Sequence, residues 1–139
     1  ITPDNKTLIV GETYAARLTA FDKSEDGSLS NRRIWADLKV NAEEGTVPLP
    51  DGMCIDEEGA IWVASPSTAE VIRVHEGGMI SERIPVQTNA FACMLGGEDR
   101  RTLFICTSNG SGVDPGAALR EKSGKIEITQ VDVPGCGKP

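Results

Sequence analysis

Short apolar segments that recur along the chain constrain its fold more than any other feature. Leu8, Ile61 and Leu103 each open such a segment directly after an acidic turn, at intervals of 53 and 42 residues. A repeat of this length, with about four short strands in each unit, is typical of a β-propeller. We therefore predict an all-β propeller rather than a β-sandwich.

Ten segments have the composition of β-strands, because they are rich in β-branched or aromatic residues and are bounded by Gly, Asp, Ser or Asn. The predicted strands are 7–10, 17–22, 33–38, 53–56, 60–64, 70–74, 79–84, 91–95, 102–107 and 124–131. Residues 115–122 have the composition for one or two helical turns, but we expect a loop there because Gly116 interrupts the segment.

The predicted strands fall into three units, 1–47, 48–88 and 89–139, which we assign to one propeller domain spanning 1–139. The third unit is one strand short, because only a segment rich in proline and glycine follows Val133. The first unit opens on the apolar residue Ile1 followed directly by a turn, which is the pattern of the end of a strand whose earlier residues are missing. We therefore expect the chain to be the C-terminal part of a longer ring.

The stretch 48–64 contains the most informative polar residue. Two apolar segments flank the turn Asp-Glu-Glu-Gly, which is the pattern of a β-hairpin. Asp51 precedes the first segment, between Pro50, which fixes the backbone, and Gly52, which allows it to turn. We expect the Asp51 side chain to point to the entrance of a strand, although Pro-Asp-Gly is also a common turn with no other role.

Charge and cysteine content restrict the partners and the compartment. The net charge is −7, with 21 acidic and 14 basic residues, so the chain repels nucleic acid and anionic membranes, and we expect neither as a partner. The four cysteines include no Cys-x-x-Cys pair. Three of them lie in apolar strand patterns, which favours buried free thiols in the reducing cytoplasm over disulfides.

Six segments of the chain together form a recognisable pattern: 1–4, 21–22, 29–33, 50–56, 59–64 and 93–97. They include the motifs Ser-Asn-Arg-Arg at 30–33 and Pro-Asp-Gly-Met-Cys-Ile-Asp at 50–56. In these motifs the chain resembles the senescence marker protein, gluconolactonase and luciferin-regenerating enzyme family. The resemblance implies a six-bladed propeller with a divalent metal in its channel, of which this chain supplies about three C-terminal blades.

The resemblance also implies a metal site built from a Glu near the start of the family's chain, Asn residues in its middle and the Asp of Pro-Asp-Gly. Only the last of these has a counterpart here, Asp51. The site therefore needs the missing N-terminal blades or a second copy of the chain. Carboxylate and amide oxygens favour Ca²⁺, with Zn²⁺, Mg²⁺ and Mn²⁺ as alternatives.

The function implied by the resemblance is metal-dependent hydrolysis of small lactones, as in a gluconolactonase. Asp51 would be both a metal ligand and the group that orients the attacking water or accepts its proton. We expect the 139 residues alone to be inactive. Two alternatives remain: a metal-dependent phosphotriesterase or other ester hydrolase on the same propeller, and a non-catalytic calcium-binding or scaffold segment.

Other residues offer weaker candidates for a site. His75 lies at the end of a predicted strand, and we interpret it as a solvated turn residue rather than a member of a Ser-His-Asp system. Trp35 and Trp62 are expected to pack between blades. Residues 56–58, Asp-Glu-Glu, lack the spacing of a calcium loop, so we expect a solvated hairpin tip.

Overall fold

The structure is a computed structural model that describes residues 1–41, 46–110 and 120–137. The described residues contain ten β-strands and two short 3₁₀ helices, Thr13–Ala15 and Leu38–Asn41. The strands are β1 (Thr7–Glu12), β2 (Arg17–Lys23), β3 (Leu29–Asp37), β4 (Met53–Ile55), β5 (Ile61–Ser65), β6 (Glu70–Val74), β7 (Ile80–Pro85), β8 (Asn89–Gly96), β9 (Thr102–Ser108) and β10 (Lys125–Gln130).

Consecutive strands pair antiparallel to form three sheets. The first sheet has the order β1-β2-β3, the second β4-β5-β6-β7 and the third β10-β9-β8. Each sheet is a meander, since every strand pairs with the strand before or after it in sequence. The prediction of an all-β fold is therefore confirmed.

All ten predicted strands are present, most within one or two residues of the expected bounds. The largest difference is in β3, which begins at Leu29 rather than at Arg33. Asp22 on β2 explains the extension, because its carboxylate accepts hydrogen bonds from Asn31 at 3.0 Å and Arg33 at 2.6 Å. The loop predicted at 115–122 lies mostly outside the described residues, but Arg120 and Glu121 within it are helical, so the prediction is wrong for these two residues.

Two apolar clusters join the sheets face to face. The first lies between the first and second sheets and includes Leu18, Trp35 and Ile72. The second lies between the second and third sheets and includes Trp62 and Leu103. The second sheet is thus covered on both faces, and every residue of β5 and β6 is buried. Burying one large aliphatic or aromatic side chain contributes about 1.5–3 kcal/mol, so these two layers supply most of the stability.

The third sheet has a second face that no other described element covers. Met94, Phe104, Ile126 and Ile128 lie on this face, where Phe104 pairs with both Met94 and Ile128. Ile126 is 68% exposed and Ile128 is 66% exposed. We refer to these four residues as the outer apolar face.

A segment near residue 135 returns to the second sheet and contacts the turn that follows β4. Asp56 and Gly135 form an isolated antiparallel bridge. The N–H of Glu57 donates to the carbonyl of Pro134 at 2.9 Å, and the Arg100 side chain donates to the carbonyl of Gly135 at 2.8 Å. The turn is therefore held to the third sheet. No helix in the described part of the chain is long and apolar enough to cross a membrane.

Candidate functional site

Asp51 lies two residues before β4, where the second sheet approaches the third. Its backbone N–H donates to the carbonyl of Ala64 on β5 at 3.0 Å, and the N–H of Ala64 donates to the carbonyl of Gly52 at 2.9 Å. The N–H of Gly52 donates in turn to the carbonyl of Phe91 on β8 at 2.9 Å. Neighbouring strands of two sheets therefore fix the backbone at Asp51.

Glycine is required at position 52 because the neighbouring strand is so close. A Cβ atom there would lie 2.6 Å from Cα of Ala92 and 2.9 Å from the carbonyl oxygen of Phe91. The sequence suggested a different reason, a turn that needs backbone freedom, but Gly52 is not among the residues with positive φ. On the other side, a Cβ at Gly11 of β1 would lie 3.4 Å from Cβ of Pro50. The segment before β4 is thus enclosed by β1 and β8.

The Asp51 carboxylate differs from most acidic side chains of the strands and their turns. Asp51 is exposed, and within the described residues its side chain has no hydrogen-bond or ion-pair partner. By contrast, Glu12, Asp22 and Glu70 each pair with an arginine. Oxygen atoms of an unpaired carboxylate on a rigid backbone are suited to a hard cation or to a water molecule.

Asp51 is the one metal ligand that the sequence leads us to expect in this chain. Over residues 1–41, 46–110 and 120–137, no group of three or more His, Cys, Asp or Glu side chains is arranged to hold a metal ion. A single carboxylate such as that of Asp51 has oxygen donors of the kind that a divalent cation takes as one of several ligands.

Asp56 is buried rather than solvated, so the prediction of a solvated hairpin tip at 56–58 is wrong for this residue. Its Oδ2 atom accepts hydrogen bonds from Arg73 Nε at 2.8 Å and from Trp62 Nε1 at 3.1 Å. Its Oδ1 atom accepts the backbone N–H groups of Glu58 and Ala60, both at 3.0 Å. These four bonds satisfy the buried charge, which makes Asp56 an anchor of the hairpin.

His75 lies at the opposite end of the second sheet from Asp51. Its Nε2 atom is 3.1 Å from Arg73 Nη1 and 2.9 Å from Ser81 Oγ. Among the described residues, no carboxylate is bonded to the imidazole ring. The arrangement therefore lacks the acid of a Ser-His-Asp system, although His75 is half-buried and not fully solvated as expected.

A groove of about 490 Å³ lies between the first and second sheets, also far from Asp51. Its lining includes Arg33, Glu58 and His75. Arg33 is paired with Asp22 and Glu58 with Arg73, so these charges are already satisfied by the protein. The chemistry of the groove does not indicate a ligand, and we place the candidate site at Asp51 instead.

The tryptophans lie between sheets as predicted, Trp35 in the first cluster and Trp62 in the second. All four cysteines are free thiols, of which Cys54 and Cys93 are buried, whereas Cys106 is exposed. The expectation of buried thiols is thus only partly met. A hydrogen bond with the Cys54 thiol, together with burial, raises the pKa of Cys93, which keeps it protonated.

Comparisons with known proteins connect this chain and its fold to one family. The model of a family described as SMP-30/Gluconolactonase/LRE-like region matches residues 1–109. Regucalcin of Oryctolagus cuniculus is 35% identical over 138 residues, covering 95% of this chain and 44% of that protein. A 6-deoxy-6-sulfogluconolactonase of Pseudomonas putida is 29% identical, covering 99% of this chain and 46% of that protein.

A solved structure has the same fold. The crystal structure of a calcium-binding protein, regucalcin, from Agrobacterium tumefaciens matches with a TM-score of 0.72 and 21% identity, over 97% of this chain and 45% of that one. The chain thus spans less than half the length of the relatives that it matches. The three stacked sheets are part of a propeller.

Proposed function

Because the chain belongs to the SMP-30/gluconolactonase/LRE-like family, we propose that the complete protein hydrolyses small lactones of the sugar-acid type. One observation supports this proposal above all. Asp51 has an exposed carboxylate without a protein partner among the described residues, on a backbone fixed by β5 and β8. Relatives that include a sulfogluconolactonase suggest the lactone as the substrate class.

We assign to Asp51 the role of ligand for a divalent cation, with Ca²⁺ favoured and Zn²⁺, Mg²⁺ and Mn²⁺ as alternatives. When bound, such a cation polarises the lactone carbonyl and stabilises the negative charge that develops on it. Further oxygen ligands, by the family resemblance a Glu and Asn residues, belong to parts of the protein outside this chain.

The chemical role that we propose for Asp51 uses its carboxylate oxygen atoms, which bond to no other group among the described residues. One oxygen orients a water molecule by accepting its hydrogen bond, and it takes the proton as the water attacks the carbonyl carbon. The ring C–O bond then breaks, and the proton passes to the departing ring oxygen. The product is the open hydroxy acid, and the reaction needs no organic cofactor.

The outer apolar face supports a proposal about partners. Sheets in this protein stack through apolar faces, so we propose that the outer apolar face is covered in the same way. The occupant is either the N-terminal blades of a longer chain or a second copy of this chain. The four free cysteines further support a reducing compartment such as the cytoplasm.

Substitution of Asp51 tests the proposed function. Asp51→Asn keeps the size of the side chain but removes its charge and its capacity to accept a proton. We expect loss of Ca²⁺ binding in calorimetric titration and loss of hydrolysis of glucono-δ-lactone in the complete protein. Asp132→Asn, at another exposed aspartate, is the matched control and should retain both properties.

Chelation separates the competing functions in the same assay. Hydrolysis that is lost with EDTA and restored by one added metal supports the lactonase. Turnover of phosphotriesters alone would favour the alternative hydrolase, and tight Ca²⁺ binding without any turnover would favour a non-catalytic calcium-binding propeller. Wild-type metal affinity in Asp51→Asn would contradict the site assignment.

A further inference from the structure

The connection that leads to Asp51 has very few backbone groups available for hydrogen bonding. Pro48 and Pro50 lack an N–H, so Leu49 provides the only backbone donor between residues 48 and 50. Residues 47–50 belong to no strand. Contacts other than sheet pairing must therefore hold this segment in place.

Hydroxyl groups from the last residue of β5 and from the turn that follows make these contacts. The Leu49 N–H donates to Ser67 Oγ at 3.0 Å and to Ser65 Oγ at 3.3 Å. Ser67 Oγ donates its own proton to the carbonyl of Val47 at 2.8 Å. Ser67 thus bonds the connection on both sides of Pro48.

Two neighbouring side chains orient the Ser67 hydroxyl. Because its proton is used on Val47, Ser67 Oγ accepts the hydrogen bond from Ser65 Oγ, 3.2 Å away. Ser65 is buried and accepts in turn from Thr68 Oγ1 at 2.7 Å. The hydroxyls thus form a chain in which Thr68 donates to Ser65, Ser65 donates to Ser67, and Ser67 donates to the carbonyl of Val47. Sequence reasoning missed this chain, although the hydroxyl-rich residues 65–68 begin at the last residue of β5, at the same end of the strand as Asp51.

We propose that Ser67 is a positioning residue for Asp51. It fixes residues 47–49, while the bond from the Asp51 N–H to Ala64 fixes the next part of the backbone. The backbone contacts then hold the Asp51 carboxylate in one position, while its own oxygen atoms bond to no group among the described residues. This inference rests on the proposed role of Asp51 as a cation ligand. Groups that orient a metal ligand change metal affinity or activity by about 10- to 100-fold when removed.

The test compares Ser67→Ala with Ser67→Thr in the complete protein. Ser67 is exposed, so neither change disturbs a packed core. We expect Ser67→Ala to weaken Ca²⁺ binding about tenfold in calorimetric titration and to lower kcat by a similar factor, with KM for glucono-δ-lactone nearly unchanged, as for an outer group that orients a ligand. Ser67→Thr retains a hydroxyl and should restore both values. The thermal unfolding midpoint should change little.

A second readout does not depend on activity. Amide hydrogen exchange at Leu49, followed by NMR, should accelerate in Ser67→Ala and stay close to the wild-type rate in Ser67→Thr. Ser28→Ala is the matched control, because Ser28 also donates a side-chain hydrogen bond, to Asp26 at 2.7 Å, but in a distant turn. It should leave Ca²⁺ affinity, kcat and exchange at Leu49 unchanged.

The outcomes distinguish this inference from the proposed function. If Asp51→Asn loses Ca²⁺ binding but Ser67→Ala keeps wild-type affinity and kcat, the positioning role is overturned and the proposed function stands. A loss in Ser67→Ala that Ser67→Thr fails to restore also overturns it, since the hydroxyl is then not the cause. Wild-type Ca²⁺ affinity in Asp51→Asn overturns the assignment of Asp51 as the cation ligand, on which the positioning role rests.

Discussion

Glu12 shows how one side chain makes stability depend on pH. Arg17 donates to its carboxylate at 2.7 Å and Arg32 at 2.8 Å, and Thr19 donates as well. Hydrogen bonds from Arg17, Thr19 and Arg32 lower the pKa of Glu12 from 4.5 to about 2. Below pH 4.5 the unfolded chain therefore binds this proton more readily than the folded protein.

We expect the contribution of Glu12 to be complete above pH 4.5 and to disappear as the pH falls through about 2. Glu12→Gln should lower the unfolding midpoint at neutral pH and flatten its decline in acid. Urea unfolding at a series of pH values measures both effects. Glu25→Gln, at an exposed glutamate in the turn after β2, serves as control. Parallel pH profiles for Glu12→Gln and the wild type would contradict the prediction.

Asp51 and Asp56 illustrate what a sequence does and does not reveal about single residues. Both are acids next to turn residues, and the sequence predicts the entrance of a strand for Asp51 and a solvated hairpin tip for Asp56. Asp56 is buried because Arg73, distant in sequence, lies beside it once β5 and β6 have paired. A contact of this kind depends on tertiary structure, so local pattern could not predict it. Asp51 is exposed two residues before β4. Its position before a strand could be predicted because the flanking Pro50 and Gly52 and the apolar segment after them are adjacent in sequence.

Among the elements, the strands were predictable and their closest contacts were not. Apolar segments bounded by turn residues located all ten strands, since the pattern that buries one side of a strand is local. The contact between Gly52 and β8 joins segments from two different sheets. No local signal distinguishes it from an ordinary turn glycine.

Gly52→Ala should push β4 away from β8, because the new Cβ would lie 2.6 Å from Cα of Ala92. Insertion of a methyl group into such a contact costs about 1–3 kcal/mol of unfolding free energy. Urea unfolding measures this loss, and Ca²⁺ titration should show weaker binding because Asp51 is adjacent. Gly124→Ala is the control, since a Cβ there meets nothing within 4 Å. Equal unfolding free energies for the two variants would refute the contact.

At the scale of the whole molecule, the outer apolar face is the feature that leads us to expect self-association. Ile126 and Ile128 are each about two-thirds exposed, and they continue an apolar surface through Phe104. Exposed apolar sheet surfaces promote association. We expect these 139 residues alone to self-associate rather than to form a stable monomer.

The double substitution Ile126→Asp with Ile128→Asp should reduce this association, as measured by sedimentation equilibrium. Val40→Asp is the control, because Val40 is equally exposed at 73% but lies in the helix after β3. If the wild-type chain sediments as a monomer and unfolds in one sharp transition, the outer apolar face is stable in contact with solvent and the prediction is wrong.

The meander order of the sheets also determines when each contact can form during synthesis. Each sheet consists of consecutive strands, so it can pair as soon as its own residues have left the ribosome, and contacts over short sequence distances form fast. The bridge between Asp56 and Gly135 is different, because it joins the turn after β4 to a segment made much later. When the second sheet leaves the ribosome, the turn after β4 therefore has no partner at Asp56. The bridge to this turn can form only after Gly135 has been synthesised.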